Sequence, residues 1–142
     1  MAKQWDFDDM FNSEAFIKNY KIGEKITGKF AQSLIEQSAV IADSKSNLDR
    51  PLVVLDNACG AGVISSILHN ELDDQIKRNW KLTCADLSEG MLEYTRHRME
   101  REGWLNAELK KVDAQETNLP SDYYTHVFTA FGKLWGAFAD IS

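Results

Sequence analysis

Three carboxylates stand at the ends of short runs with strand character: Asp56 closes "LVVLD", Asp86 closes "KLTCAD" and Asp113 follows "AELKKV". Directly after Asp56 the chain reads Asn-Ala-Cys-Gly-Ala-Gly, so Gly60 and Gly62 lie two positions apart. A carboxylate can neutralise an amino group or accept from hydroxyls. A glycine, having no Cβ, lets backbone come close to whatever is bound. The combination suits a ligand rich in hydrogen-bond donors. Cys59 and Cys84 have neither metal-ligand spacing nor a secreted context for a bridge, and read as small buried thiols.

The elements that position these acids follow from periodicity. "LVVLD" is continuous, apolar and partly β-branched, as in a strand buried on both faces, and "GVISSILHNELDD" after the glycines has helical spacing. "KLTCAD" repeats the strand type. "SEGMLEYTRHRMEREG" opens on Ser88 as a cap, turns Met91, Leu92 and Tyr94 inward and closes at Gly103. "AELKKVDA" and "THVFTAF" complete four strands. Strand and helix in alternation predict an α/β, Rossmann-like, mostly parallel sheet with helices on both faces. In such a sheet the carboxyl ends of the strands line the ligand crevice, which brings the three acids to one rim.

Ahead of this core, Ser13 to about Ala42 reads as helix, with Gly23 and Gly28 leaving open a joint between two helices, and Asp43 to Pro51 as a polar linker. The expected organisation is an N-terminal helical region, 1–50, and a ligand-binding domain, 51–142. The formal charge of −6 argues against nucleic acid as a partner, since phosphate contacts need concentrated Lys and Arg. Arg96, Arg98 and Arg101 alternate with Glu as on a solvated helix face. No apolar run reaches the roughly 20 residues that span a bilayer, and "MAKQWDFDDMF" is acidic where a signal peptide is basic. No membrane association and a cytoplasmic location are the expectations.

A dinucleotide would also use glycines after one strand and an acid after the next. Here, however, the third glycine of that pattern would fall at Ser65, and Asp56 would repel a pyrophosphate. An amino-acid end, a ribose and an adenine use three acids better, and S-adenosylmethionine carries all three. At this point the chain resembles the class I methyltransferase family. "VVLDNACGAG" is similar to that family's first motif, "LTCADLSEGMLEYTR" to its second, and "VDAQETNLPSDYYTHVFTAFG" to its Asp-Ala-x-x-Leu-Pro segment and fourth strand.

The resemblance implies S-adenosylmethionine as cofactor and a small-molecule methyl acceptor. It implies that Asp56, Cys59, Gly60 and Gly62 surround the methionine end, with Asp56 neutralising the amino group and the glycines admitting the ligand. Asp86 would accept from both ribose hydroxyls, Leu87 and Met91 would flank the adenine, and Asp113 would meet its amino group beside the Ala114 backbone. Thr129, Ala130 and Phe131 would lie near the transferable methyl, and Tyr20, Glu24 and Thr27 would belong to a lid. Quinone-biosynthesis and fungal secondary-metabolite methyltransferases are the nearest type. One departure stands out: the family commonly has Gly where this chain has Ala58, which is tolerable if the backbone angle there is ordinary.

His69 and His97 read as helix-surface residues and His126 as the opening of the fourth strand, none paired for base catalysis. Trp5, Trp80, Trp104 and Trp135 read as packing groups. The family's domains carry seven strands in the order 3-2-1-4-5-7-6, of which this chain supplies four, so a truncated form is expected. "HVFTAF" would then be an apolar sheet edge, covered by self-association, a protein partner or a rearranged tail. Two other functions stay open: a non-methylating relative serving as binding subunit or cyclisation scaffold, and the nucleotide half of an oxidoreductase.

Overall fold

The structure, a computed structural model, describes residues 28–46, 49–113, 119–120 and 122–129. A helix over 28–38 (α1) is followed by α2, Val40–Ser46. Between them Ala39 adopts a left-handed backbone, φ 56°. Ser38 marks the break, its Oγ donating to the Ile35 carbonyl at 2.7 Å and accepting from the Val40 amide at 3.3 Å. Among the described residues the joint therefore lies at Ala39 rather than at a glycine. The helix also runs on to Ser46, through residues expected to form a polar linker.

The core domain alternates as its periodicity predicts. Its elements are β1 (Val53–Asn57), α3 (Val63–Glu71), a short α4 (Asp74–Lys77), β2 (Lys81–Asp86), α5 (Glu89–Glu102), β3 (Ala107–Lys111) and β4 (His126–Phe128). All strand pairs are parallel, in the order β3-β2-β1-β4. The chain steps outward from β1 to β3 on one side and then returns to place β4 on the other. The topological switch is thus beside β1, where open parallel sheets bind ligands.

Register fixes which side chains share a face. The rows Phe128–Asp56–Cys84–Leu109 and His126–Val54–Leu82–Ala107 point one way, and Val127–Leu55–Thr83–Glu108 the other. The buried apolar cluster takes Val54, Leu82, Cys84 and Phe128 from the first face and joins them to Ala31, Ile35, Leu68, Trp80 and Trp104. Burying each of the larger side chains contributes about 1.5–3 kcal/mol. The Trp80 indole gives its N–H to the Leu105 carbonyl at 2.8 Å, so its burial leaves no donor unpaired.

α5 begins and ends as read from its sequence. Ser88 Oγ accepts from the Met91 amide at 3.3 Å, and Gly103 closes the helix at φ 65°. Met91, Leu92 and Thr95 form its buried stripe, whereas Tyr94, expected inward, is half-buried. His69 departs further from expectation. It is buried rather than on the surface, near Trp80 and Trp104, and its Nε2 accepts from the Leu105 amide at 3.2 Å. Burial, together with the nearby Lys77 charge, holds its pKa below the usual histidine range. Lys77 is buried too, its Nζ donating to the His69 carbonyl at 2.6 Å and to Asp74 Oδ1 at 3.1 Å. Among the described residues no helix is long and apolar enough to cross a membrane.

Candidate functional site

The link from β1 to α3 is built on left-handed residues. Ala58, Gly60 and Gly62 have φ of 55°, 56° and 77°. The turn is pinned by the Cys59 amide donating to the Ala85 carbonyl of β2 and the Gly62 amide donating to the Cys59 carbonyl, both at 2.9 Å. The angle at Ala58 is therefore not ordinary, and its methyl group is held in a conformation that costs an L-residue about 1–2 kcal/mol. Ala58→Gly should stabilise the protein by about 0.5–1 kcal/mol, less than the full strain because glycine also frees the unfolded chain. A higher urea midpoint at unchanged slope is the expected result.

Gly62 is required for packing as well, whatever it admits as the resemblance implies. A Cβ there would sit 3.0 Å from Thr95 Cγ2 and 3.0 Å from Trp104 Cη2, so it would strike α5 and the tryptophan just past its end. Glycine at this position lets the first turn of α3 pack on α5. Gly62→Ala should cost about 2–3 kcal/mol, combining left-handed strain with overpacking. Gly103→Ala, also at positive φ but with nothing within 4 Å of the new methyl, should cost about 1 kcal/mol, which separates the two terms.

Gly60 ties the turn to the second acid. Its amide donates to Asp86 Oδ2 at 2.9 Å, and its carbonyl accepts from Thr95 Oγ1 at 2.8 Å. Asp86 Oδ1 accepts from the Ser88 amide at 2.9 Å. One carboxylate at the end of β2 thus joins the glycine turn to the start of α5. Each of its oxygens keeps a lone pair beyond these bonds, as a vicinal diol requires. Burial raises the Asp86 pKa, and the amides of Ser88, Gly60 and Leu87 work against that rise.

Asp56 is placed differently. It is 2% exposed, on the core face of the sheet, and its Oδ2 accepts from Ser65 Oγ at 2.7 Å. Ser65 Oγ also lies 3.1 Å from Cys84 Sγ. Burial lifts the Asp56 carboxyl to about 7, with the Ser65 bonds opposing and the Asp86 charge adding to the rise. The serine that replaces a dinucleotide-type glycine is therefore this acid's donor. Beside it, Asn57 Oδ1 is buried and has no hydrogen-bond partner among the described residues.

Asp113, two residues past β3, is exposed. Leu87 is 56% exposed at the rim, while Met91 and Cys59 are buried. The Cys59 thiol is raised well above the ordinary range by its bond with Cys84 and by burial. Thr129 follows β4 and is half-buried. Tyr20, Glu24, Thr27, Ala114, Ala130 and Phe131 lie outside the described residues. Among the described residues, no cluster of three or more His, Cys, Asp or Glu could hold a metal ion. Ser65, Thr95 and Asn57 join the site from structure alone. Their only sequence signal is a small polar residue within otherwise apolar spacing.

A family model described as a methyltransferase domain matches residues 54–140. The chain belongs to the methyltransferase domain family. It is similar to methyltransferase tpcH of Aspergillus fumigatus, 53% identical over 124 residues, which make up 87% of this chain and 43% of that protein. It is also similar to the acetylaranotin bis-thiomethyltransferase of Aspergillus terreus, 47% identical over 131 residues, 92% of this chain and 46% of that protein. The chain thus spans less than half the length of these two curated relatives. Among solved structures, the cyclase SpnF superposes with a TM-score of 0.54 at 14% identity, over 70% of this chain and 32% of that one, which is a likeness of fold. The cofactor that goes with the methyltransferase family is S-adenosylmethionine. The Asp86 carboxylate, with acceptor capacity left at the rim, and the donorless Asn57 oxygen both suit a ligand rich in donors.

Proposed function

We propose that the protein is an S-adenosylmethionine-dependent methyltransferase acting on a small molecule of the secondary-metabolite type. The observation that carries this reading is the bridge Asp86 makes between the Gly60 amide and the Ser88 amide. It fixes a carboxylate at the rim next to the switch point, where ribose hydroxyls can be received. Asp86 would hold the ribose, Leu87 and Met91 the adenine faces, and Asp113 with Ala114 the adenine edge. Thr129 and Phe131 would border the reacting end, and the region 1–50, with Tyr20 and Thr27, would close over it. When bound, the cofactor supplies an activated methyl group on a sulfonium.

The chain's own task is then alignment and exclusion of water, which lower the barrier without a protein nucleophile. A thiol or hydroxyl acceptor fits this reading. The thiol is favoured by the name of the 47%-identical relative, a bis-thiomethyltransferase. A cytoplasmic location, and self-association or a protein partner along β4, belong to the same proposal. Incubation with methyl-labelled S-adenosylmethionine and a panel of small thiols and phenols tests it. Transfer of label to an acceptor is the expected result. Tight cofactor binding without transfer to any of them would instead favour a binding or cyclising relative.

A further inference from the structure

The oxygen atoms around the glycine turn are largely committed. The Asp56 carboxylate accepts from Ser65, the Cys59 carbonyl from the Gly62 amide, the Gly60 carbonyl from Thr95, and the Ala61 carbonyl from Arg98 Nη1 at 3.0 Å. Asn57 Oδ1 is the exception: it is buried without a donor among the described residues. Leaving such an acceptor unsatisfied costs about 1–3 kcal/mol, so a native chain keeps one where something else supplies the donor. Alternation along β1 turns Asn57 away from the core face that holds Asp56. It stands at the carboxyl end of β1, one step beyond the Asp56–Phe128 pair and therefore beside Thr129, at the β1/β4 switch.

Resting on the function proposed above, we infer that Asn57 Oδ1 accepts a hydrogen bond from the α-ammonium group of the bound cofactor. The ammonium brings three N–H donors and a positive charge, and a neutral amide oxygen receives one of them without adding a further buried carboxylate to Asp56 and Asp86. Asp56, already held by Ser65, then shapes the turn rather than meeting the ligand. This assigns specificity for an amino-acid end to a residue outside the set that the resemblance implies.

Asn57→Leu, which keeps the branched shape and the number of heavy atoms, tests the assignment. Affinity for S-adenosylhomocysteine, measured by calorimetry, should fall about 10- to 100-fold, the range for a hydrogen bond to a charged group. Affinity for the desamino analogue of that ligand should not change. Free of ligand, the variant should melt a few degrees higher, because the unpaired acceptor is gone. A structural or water-filled role would lower the melting temperature and weaken both ligands alike, and that pattern overturns the inference. Asn57→Asp, which keeps an acceptor, should retain the preference for the amino-bearing ligand. Should the leucine variant not fold, loss of that preference in the aspartate variant, or its absence in the wild type, overturns the inference equally. Wild-type protein that binds neither ligand ends both this inference and the proposed function. Wild-type binding that survives Asn57→Leu intact ends only the inference.

Discussion

Replacing Asp86 by Ala is expected to weaken binding of S-adenosylhomocysteine by about 10²- to 10³-fold. In the proposed binding mode two hydrogen bonds from ribose hydroxyls to a carboxylate would be lost, each contributing about 1.5–3 kcal/mol as a charge-assisted bond, and such losses are not fully additive. The substitution also releases the Gly60 and Ser88 amides, so the turn and the start of α5 lose the group that holds them together. Asp86→Asn separates these contributions. It keeps the size and one acceptor oxygen, and should lose only about tenfold. Calorimetric titration of both variants checks the ordering. Unchanged affinity in the alanine variant would put the ribose elsewhere.

The second large effect concerns pH. An ordinary aspartate titrates near 3.8, whereas buried Asp56 titrates at about 7 in the folded protein. Between those values the folded chain holds a proton that the unfolded chain has released. Raising the pH therefore favours unfolding, by about 1.4 kcal/mol per unit from this group. Its contribution is most favourable below pH 4 and declines until about pH 7, a change of about 4 kcal/mol. Asp86, also raised by burial, acts with the same sign. Glu102 acts oppositely: burial pushes it up, but bonds from Ser66 and Arg98 outweigh that and hold it low. The difference between wild type and Asp56→Asn isolates the Asp56 effect. Urea unfolding should show the asparagine variant gaining on the wild type by about 4 kcal/mol between pH 4 and pH 7.5. Parallel pH profiles would mean that Asp56 ionises as an exposed acid does.

Much of the sheet could be read from the chain itself, because period-two and period-3.6 patterns report the burial of one element at a time. The strands ending near Asp56, Asp86 and Asp113, the Ser88 cap and the Gly103 terminus are all of this local kind. What periodicity does not carry is which elements meet. His69 reads as exposed because it is polar and lies near a helix end, yet α3 is buried on several sides and its polar Ser65, Ser66 and His69 are paired inside the protein. Gly62 reads as a place for ligand, and the close packing of Thr95 and Trp104 against it is a second demand that the sequence does not display. The strain at Ala58 depends on the path of the β1–α3 turn, which residue type alone did not reveal. Asp56 and Asn57 differ by one position, and so by one face of a strand, and only the packed sheet tells which oxygen is committed and which is not.

The proposed function requires a rim that accepts an adenosyl compound with an amino-acid end. The most direct measurement is a calorimetric titration of the wild-type chain with S-adenosylhomocysteine and, separately, with NAD. Saturable one-to-one binding of S-adenosylhomocysteine with none of NAD is the predicted result. Binding of NAD, or of neither compound by a chain shown to be folded, would contradict it.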